Sequence, residues 1–323
     1  MLRYICRRLL LMIPTLLGVT MIIQLFIMLV PGDPVRIMMG ANFDEEEIEA
    51  YRVELGLNHP VHIRYVNYIR NIIFRGDFGT SFRSRTPALG EIVSRFPYSL
   101  MLVSISLGIA LFVGIPLGIY AATHQYSWKD NAAIFTSLFC VSMPGFWFAL
   151  MLVQLFCVRL GWFPVAGVDD WKGWILPAIT GAMGFAATIA RQMRSNLLEV
   201  IRQDYITTAR AKGQTEAKVL YRHGLKNAVI PVIMVVGGIF GIAMGGSMIM
   251  EMIFSIPGLG NYTLSALSGR DYPVVQTSVL FMSAMFAIVL LLIDITFAIV
   301  DPRIRAQYGR KTKKKIERRP VSE

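Results

Sequence analysis

The chain has 323 residues, of which 54% are hydrophobic and only 16% are charged. Soluble domains average about 25% charged residues, so a chain with these proportions cannot face water on all sides, and an ordinary soluble enzyme is disfavoured. The apolar content excludes a disordered chain, and the net charge of +11 leaves two classes: a basic nucleic-acid binder with a large core, or a membrane protein with basic loops.

Six apolar blocks follow one another along the chain. A helix needs about 20 mostly apolar residues to cross a hydrocarbon core of ~30 Å, and lipid offers the backbone no other hydrogen-bond partners, so each block is expected to be helical. Six buried core helices of a soluble protein are the alternative, which the number and length of the blocks disfavour. The sequence predicts an all-α polytopic membrane protein with six transmembrane helices, at 9–30, 99–122, 133–158, 174–192, 229–250 and 279–300.

The segment between the first two blocks, residues 31–98, is too long for a structureless loop. Asp44 is a candidate cap for a helix that ends at Gly56, and hydrophobic periodicity predicts a second helix over Val61–Phe74. Residues 1–98 are therefore interpreted as the first transmembrane helix followed by a small extracytoplasmic subdomain.

Lys and Arg are concentrated in alternate segments outside the apolar blocks. Short cytoplasmic loops of membrane proteins carry an excess of these two residues. Three lie before the first block, eight between residues 191 and 228, and nine after residue 302. Both termini are therefore predicted to be cytoplasmic, with a five-helix core at 99–305, a cytoplasmic loop at 193–228 and a basic tail at 306–323. A charge that sets topology in this way does not indicate a nucleic-acid partner.

The cytoplasmic loop contains a predicted short helix. Asp204 is a candidate N-cap, Lys212 places a cation at the helix C-terminus, and Gly213 suits the position after the last turn. A second short helix is predicted over Gln214–Arg222 and ends at Gly224. Such a basic, partly apolar surface binds either a partner protein or anionic membrane lipid, and the residues alone leave both open.

Three features inside the apolar blocks are candidates for a structural or transport role. Pro144 is expected to kink the third block, either to free carbonyls along a path or for packing alone. Gly237, Gly241 and Gly245 recur every four residues, a spacing that lets helices approach closely. Asp294 lies inside the last block, where a charge indicates a pathway or a hydrogen bond between helices.

Motifs for catalysis and nucleotide binding are absent from the sequence. It contains no Gly-x-x-x-x-Gly-Lys-Ser/Thr loop and no His-Glu-x-x-His, and its four histidines have no metal-binding spacing. Ser247 lacks the second glycine of a nucleophile elbow. The chain is therefore not expected to be an enzyme or to bind a metal or cofactor itself.

Short motifs spread over nearly the whole chain resemble the first membrane-spanning permease of ABC importers for dipeptides, oligopeptides and nickel. Each motif is weak alone, but their order within a six-span chain is specific. They are Pro31-Gly32-Asp33-Pro34, Gly76-Asp77-Phe78-Gly79-Thr80-Ser81, Asp204 to Gly213 with Arg222 to Ala228, Ile256 to Gly260 with Arg270 to Pro273, and Asp301-Pro302-Arg303-Ile304-Arg305.

The resemblance implies a type I ABC importer permease in a bacterial inner membrane. An extracytoplasmic binding protein would deliver substrate, this chain and a second permease would form the path, and two cytoplasmic ATPases would bind ATP and Mg²⁺. Peptides are the expected substrates, with nickel chelates and glutathione-like solutes as alternatives. A self-sufficient carrier or channel, suggested by Asp294 and Pro144, is the alternative from another class.

The resemblance also implies that the loop helix lies in an ATPase cleft and converts closure on ATP into outward opening. Gly213 matches the glycine of the general motif Glu-Ala-Ala-x-x-x-Gly, whereas Thr207 and Thr208 replace its first two residues and only Ala209 matches. These departures resemble the peptide subfamily more than the sugar importers. The implied coupling residues are Asp204, Tyr205, Thr207, Thr208, Ala209, Arg210, Ala211, Lys212 and Gly213.

Overall fold

The computed structural model describes residues 2–29, 33–39 and 44–300, and the regular elements within them are helices. The basic tail predicted at 306–323 lies outside the described residues. Four helices precede the main bundle: α1 (Leu2–Leu29), α2 (Pro34–Met39), α3 (Glu45–Glu54) and α4 (Val61–Arg75). The bundle contains α5 (Ala88–Thr123), α6 (Trp128–Ser142), α7 (Gly145–Leu152), α8 (Lys172–Ile201), α9 (Asp204–Ala211), α10 (Glu216–Lys218), α11 (Leu225–Ile253), α12 (Leu259–Ser268) and α13 (Tyr272–Val300). A π-helical turn at Val153–Arg159 follows α7, and a second one at Val219–Gly224 follows α10.

Five helices are long and apolar enough to cross a membrane, and a bent pair formed by α6 and α7 brings the number to six. The five helices and the bent pair coincide with the six apolar blocks, so the predicted all-α membrane fold, with up to six spans, is confirmed. One of the five runs without interruption from α10 through its π-helical turn into α11 and is called the long helix, Glu216–Ile253.

The helices extend well beyond the apolar blocks. The second span begins at Ala88 instead of residue 99, the fourth reaches Ile201, and the last begins at Tyr272 instead of residue 279. Hydropathy detects only the part of a helix that suits lipid, whereas the backbone continues its hydrogen bonding into more polar flanking turns. The block limits were therefore too narrow as helix limits.

Pro144 divides the third apolar block into α6 and α7, whose axes differ by 94°. Met143 has an extended conformation, with φ −77° and ψ 126°, because a following proline disfavours the helical region. Proline also has no backbone N–H with which to continue the hydrogen bonds of α6. The predicted kink is confirmed, and its size makes this block a broken span or a re-entrant segment.

The segment between α1 and α5 contains the two helices expected there. The backbone N–H of Asp44 donates to the Glu47 carboxylate at the start of α3, and Gly76 ends α4 with a φ of +64°. Burial raises the pKa of the Asp33 carboxyl, but hydrogen bonds from Arg52 and from the Val35 N–H outweigh it and hold that pKa below its ordinary value of 3.8.

The same segment is attached to the start of α13. Asp271 accepts hydrogen bonds from the Ser81 hydroxyl at 2.5 Å and from the Phe82 N–H at 3.0 Å. Thr277 donates to the Phe78 carbonyl at 2.8 Å. Two motifs that lie about 190 residues apart in the sequence therefore form one polar contact at this end of the bundle.

The close contact between α5 and α8 forms the centre of the bundle. A Cβ added at Gly114 would lie 2.7 Å from the Ala186 carbonyl oxygen, and one at Gly118 would lie 2.5 Å from the Ala190 carbonyl oxygen. Only glycine allows the two backbones to approach to this distance.

The first and last spans pack against each other. The side chains of Gln24 on α1 and Gln276 on α13 form a buried hydrogen bond. Further along the same pair of helices, Arg8 lies 2.9 Å from the Asp294 carboxylate. Polar contacts therefore join α1 to α13 at two levels of the bundle.

Candidate functional site

Helix α9, the predicted coupling helix, connects α8 to the long helix. It spans Asp204–Ala211, as the sequence pattern predicted, but its N-cap is Gln203 and not Asp204. Gln203 has the extended backbone of a cap, with φ −77° and ψ 148°, so Asp204 belongs to the first turn. A carboxylate there still interacts favourably with the helix dipole.

One face of α9 is buried against the π-helical turn of the long helix. Ile206 is fully buried and Ala209 is 7% exposed, and both belong to a small apolar cluster with Val219. Residues 206 and 209 are three apart and therefore lie on one side of a helix. This contact orients α9 on the long helix.

Polar contacts add to the attachment of α9. The Asn227 amide donates to the Tyr205 hydroxyl at 2.9 Å, and the Arg210 guanidinium donates to the Glu216 carboxylate at 2.7 Å. The Thr208 hydroxyl donates to the Asp204 carbonyl within α9 at 2.9 Å. Tyr205 and Arg210 are thus oriented by residues of the long helix.

The opposite face of α9 is open to solvent. Of the nine residues implied to act in coupling, Ala209 is buried. The other eight are exposed and present hydroxyl, carboxylate, aromatic and cationic groups: Asp204, Tyr205, Thr207, Thr208, Arg210, Ala211, Lys212 and Gly213. A short helix held on one side and exposed on the other suits a protein partner that covers the free face.

Gly213 ends α9 in the left-handed region, with a φ of +74°, and its N–H donates to the Arg210 carbonyl at 2.9 Å. This confirms its predicted position after the last turn. A Cβ at Gly213 would meet nothing within 4 Å, so the backbone conformation and not the available space favours glycine.

The separate second helix predicted over Gln214–Arg222 is wrong. Helix α10 begins at Glu216 and continues through the π-helical turn into α11, and Gly224 lies inside this continuous helix. A glycine ends a helix only where the backbone adopts a left-handed conformation, and Gly224 has a φ of −77°. Instead, Gly224 packs near Leu197 of α8.

The ends of α8 and α6 are joined near α9. Asn196 of α8 donates to the Ala228 carbonyl of α11 at 3.3 Å. Arg194 makes two hydrogen bonds of 2.6 Å to the buried carboxylate of Asp130 at the start of α6. A depression of about 410 Å³ at the end of α8 that leads into α9 is lined by Arg194, Ser195, Leu198, Glu199, Arg202 and Gln203. The end of α8 that leads into α9 is therefore joined to both α6 and α11.

The glycines of α11 divide into two groups. A Cβ added at Gly237 would lie 2.3 Å from Ile293, and one at Gly241 would lie 2.0 Å from Phe286, so both allow close packing on α13. A Cβ at Gly245 would meet nothing within 4 Å. Close packing within the chain thus accounts for two of the three predicted glycines.

The two pathway candidates lie in different parts of the bundle. Pro144 is exposed at the break between α6 and α7. Asp294 forms its ion pair with Arg8 across the α1–α13 contact. Among the described contacts, none brings Pro144 and Asp294 into one site.

Sequence reasoning missed a buried polar cluster around Glu251, which is fully buried in the last turn of α11. Ser99 donates to its carboxylate at 2.6 Å and Ser247 at 3.0 Å. The available signal was a lone carboxylate between an apolar block and the Pro-Gly-Leu-Gly motif at 257–260. Among the described residues, no group of three His, Cys, Asp or Glu side chains is placed to hold a metal ion.

Comparison with protein families gives two matches that together span most of the chain. Residues 114–306 match the inner membrane component of binding-protein-dependent transport systems, and residues 1–103 match the N-terminal part of such membrane components.

Curated relatives cover nearly the full length. The chain is 41% identical over 305 residues to the glutathione transport system permease protein GsiC of Salmonella choleraesuis (strain SC-B67), which covers 94% of this chain and 99% of the relative. It is 40% identical, with the same coverage, to GsiC of Escherichia coli (strain K12).

The fold is also similar to a solved transporter structure. An inward-facing conformation of the MetNI methionine ABC transporter aligns with a TM-score of 0.57 and 18% identity, covering 67% of this chain and 98% of that chain. At this identity the likeness concerns the fold alone. The family matches and the full-length relatives show that the chain belongs to the inner membrane components of binding-protein-dependent transport systems, as a permease subunit of an ABC importer in the peptide, nickel and glutathione family.

Proposed function

We propose that this permease is the first, B-type subunit of a bacterial inner-membrane importer and that, with a second permease, it forms a path for short peptides. Glutathione is the first compound to test, because relatives 40–41% identical over 94% of the chain are named as glutathione permeases. Dipeptides, longer peptides and nickel chelates are the other substrates to compare.

The exposed face of α9 is the observation that carries the coupling part of the proposal. Ile206 and Ala209 hold α9 on the long helix, while the other eight coupling residues are exposed on its surface, where a partner can contact them. A cytoplasmic ATPase that bound this face would displace α9, and the displacement would pass directly to α8 and α11. Two such ATPases would supply ATP and Mg²⁺ binding, because this chain has no phosphate-binding loop.

The excess of Lys and Arg supports cytoplasmic termini and a cytoplasmic α9. In that orientation the segment between α1 and α5 faces the other side of the membrane. A binding protein would deliver substrate there, and the basic tail would lie against anionic lipid.

Reconstitution of the complex in lipid vesicles tests this function. The permease pair, the ATPases and the binding protein should take up labelled glutathione only when ATP is inside the compartment that the ATPases face. Parallel assays with a dipeptide and a nickel chelate identify the preferred class. ATP-driven uptake of the chelate alone would contradict the peptide assignment, and uptake by this chain alone would indicate a self-sufficient carrier.

A further inference from the structure

Glu251 lies at the end of the long helix that is far from α9. The long helix has 38 residues, which corresponds to about 57 Å at 1.5 Å per residue. Its first turns contact α9, and its last turn contains Glu251. The two sites are therefore opposite ends of one continuous element.

The carboxylate of Glu251 is held by hydrogen-bond donors from three helices. The Ser99 hydroxyl of α5 donates at 2.6 Å, the Ser247 hydroxyl of α11 at 3.0 Å, and the Asn261 N–H of α12 at 2.8 Å. All three groups donate, so the carboxylate acts as the acceptor in each bond. A fully buried group with this set of bonds has one defined position.

The first turn of α12 contributes two backbone N–H groups to this cluster, and such groups have no hydrogen-bond partner within their own helix. Asn261 donates directly to Glu251, and the Leu259 N–H donates to the Ser99 hydroxyl at 2.8 Å, which in turn donates to Glu251. A carboxylate at a helix N-terminus is also favoured by the helix dipole. Glu251 therefore caps a helix other than its own.

Two glycines make this contact possible. A Cβ at Gly258 would lie 2.4 Å from the Glu251 carboxyl carbon. A Cβ at Gly260 would lie 2.7 Å from the Met248 Cα and 3.0 Å from a Glu251 carboxylate oxygen. Any larger residue at either position would separate α12 from the end of α11, so the Pro-Gly-Leu-Gly segment is shaped to receive the carboxylate.

From this geometry we infer that Glu251 is a positioning residue that couples α12 to the long helix. When α9 displaces one end of the long helix, the bonds at Glu251 make α12 move with the other end. Ser99 extends the same connection to α5. The inference rests on the proposed function of α9, because it assigns the origin of the displacement to that helix.

Three variants of the reconstituted complex separate this role from simple packing. Glu251→Ala removes the acceptor for α12, and Ser99→Ala removes the bridge between Leu259 and the carboxylate together with the contact of Glu251 to α5. Ser247→Ala is the matched control, because its hydroxyl bonds Glu251 and the Met244 carbonyl within α11 and does not contact α12 through any hydrogen bond described. Substrate uptake per ATP hydrolysed and amide exchange at residues 258–263 are measured for each.

We expect Glu251→Ala to keep basal ATP hydrolysis and to lower uptake per ATP by about tenfold, the effect of losing the one direct hydrogen bond between the carboxylate and α12. Amide exchange in the first turn of α12 should accelerate by a similar factor. Ser99→Ala should follow in the same direction, whereas Ser247→Ala should stay close to the unmodified complex. If Glu251→Ala does not assemble, the comparison of the two serine variants decides.

Unchanged uptake per ATP in Glu251→Ala, or equal effects of Ser99→Ala and Ser247→Ala, would overturn the inference. Failure of the proposed function is a different result, since the unmodified complex would then show no ATP-driven uptake. In that case amide exchange still tests whether Glu251 holds α12, and unaltered exchange in Glu251→Ala would refute that contact.

Discussion

Replacing Gly213 with valine perturbs the end of α9 without creating a steric clash. The residue has a φ of +74°, and a Cβ there would meet nothing within 4 Å. A non-glycine residue held in the left-handed region costs about 1–3 kcal/mol, and a β-branched residue lies toward the upper part of that range. Since 1.4 kcal/mol corresponds to tenfold, a cost of about 2 kcal/mol lowers the population of the native α9 terminus about 30-fold.

The assay is substrate-stimulated ATP hydrolysis by the reconstituted complex. Gly213→Val should insert and assemble normally but lose most of the stimulation, because the surface offered by Lys212 and the end of α9 is displaced. Gly213→Asn should retain more stimulation, since asparagine tolerates the left-handed region better than valine. Gly76→Val is a matched control with the same kind of strain, at a φ of +64° and with nothing within 4 Å, but far from α9 in the sequence.

Normal stimulation in an assembled Gly213→Val complex would refute the coupling role of α9. Loss of stimulation in Gly76→Val to the same extent would also refute the reasoning, because it would assign the effect to general strain. The informative outcome is a difference between the two valine variants at equal membrane insertion.

Two further predictions concern packing and pH dependence. Gly241→Ala should lower the free energy of unfolding of the purified chain by about 1–3 kcal/mol, because its Cβ would overlap Phe286. Gly245→Ala, the control, should not lower it. Equal stability of the two variants would contradict the packing of α11 on α13. The pKa of Asp33 is depressed in the folded chain, so its contribution to stability is present above about pH 3.8 and is lost as the pH falls through the lower folded value. Arg52→Gln should therefore increase proteolysis of the α2–α3 region at neutral pH but not below the folded pKa, and a difference that persists in strong acid would contradict this assignment.

The spans and α9 could be predicted from the sequence because their signals are local. Apolar length identified all six spans, and the residues at 204–213 identified a short helix with its terminal glycine. The predicted end of a second helix at Gly224 was wrong, because a glycine alone does not show whether the chain turns left-handed or continues as a helix.

The contacts that organise the site depend on residues far apart in the sequence. Ser99 and Glu251 are 152 residues apart, and the sequence contains no local pattern that pairs them. Helix α12 was not predicted, since it is short and lies between the last two apolar blocks. The burial of Ile206 likewise depends on Val219, a residue beyond the terminal glycine of α9.

The pairing of α1 with α13 has a consequence for how the chain is made. Gln24 enters the membrane early in translation, but its partner Gln276 is synthesised 252 residues later. Throughout that interval the Gln24 amide lacks the hydrogen-bond partner that it has in the folded chain. Maturation of the first helix is therefore completed only when the last helix is inserted, and a chain released before residue 272 would present an incomplete α1 surface to quality-control proteases.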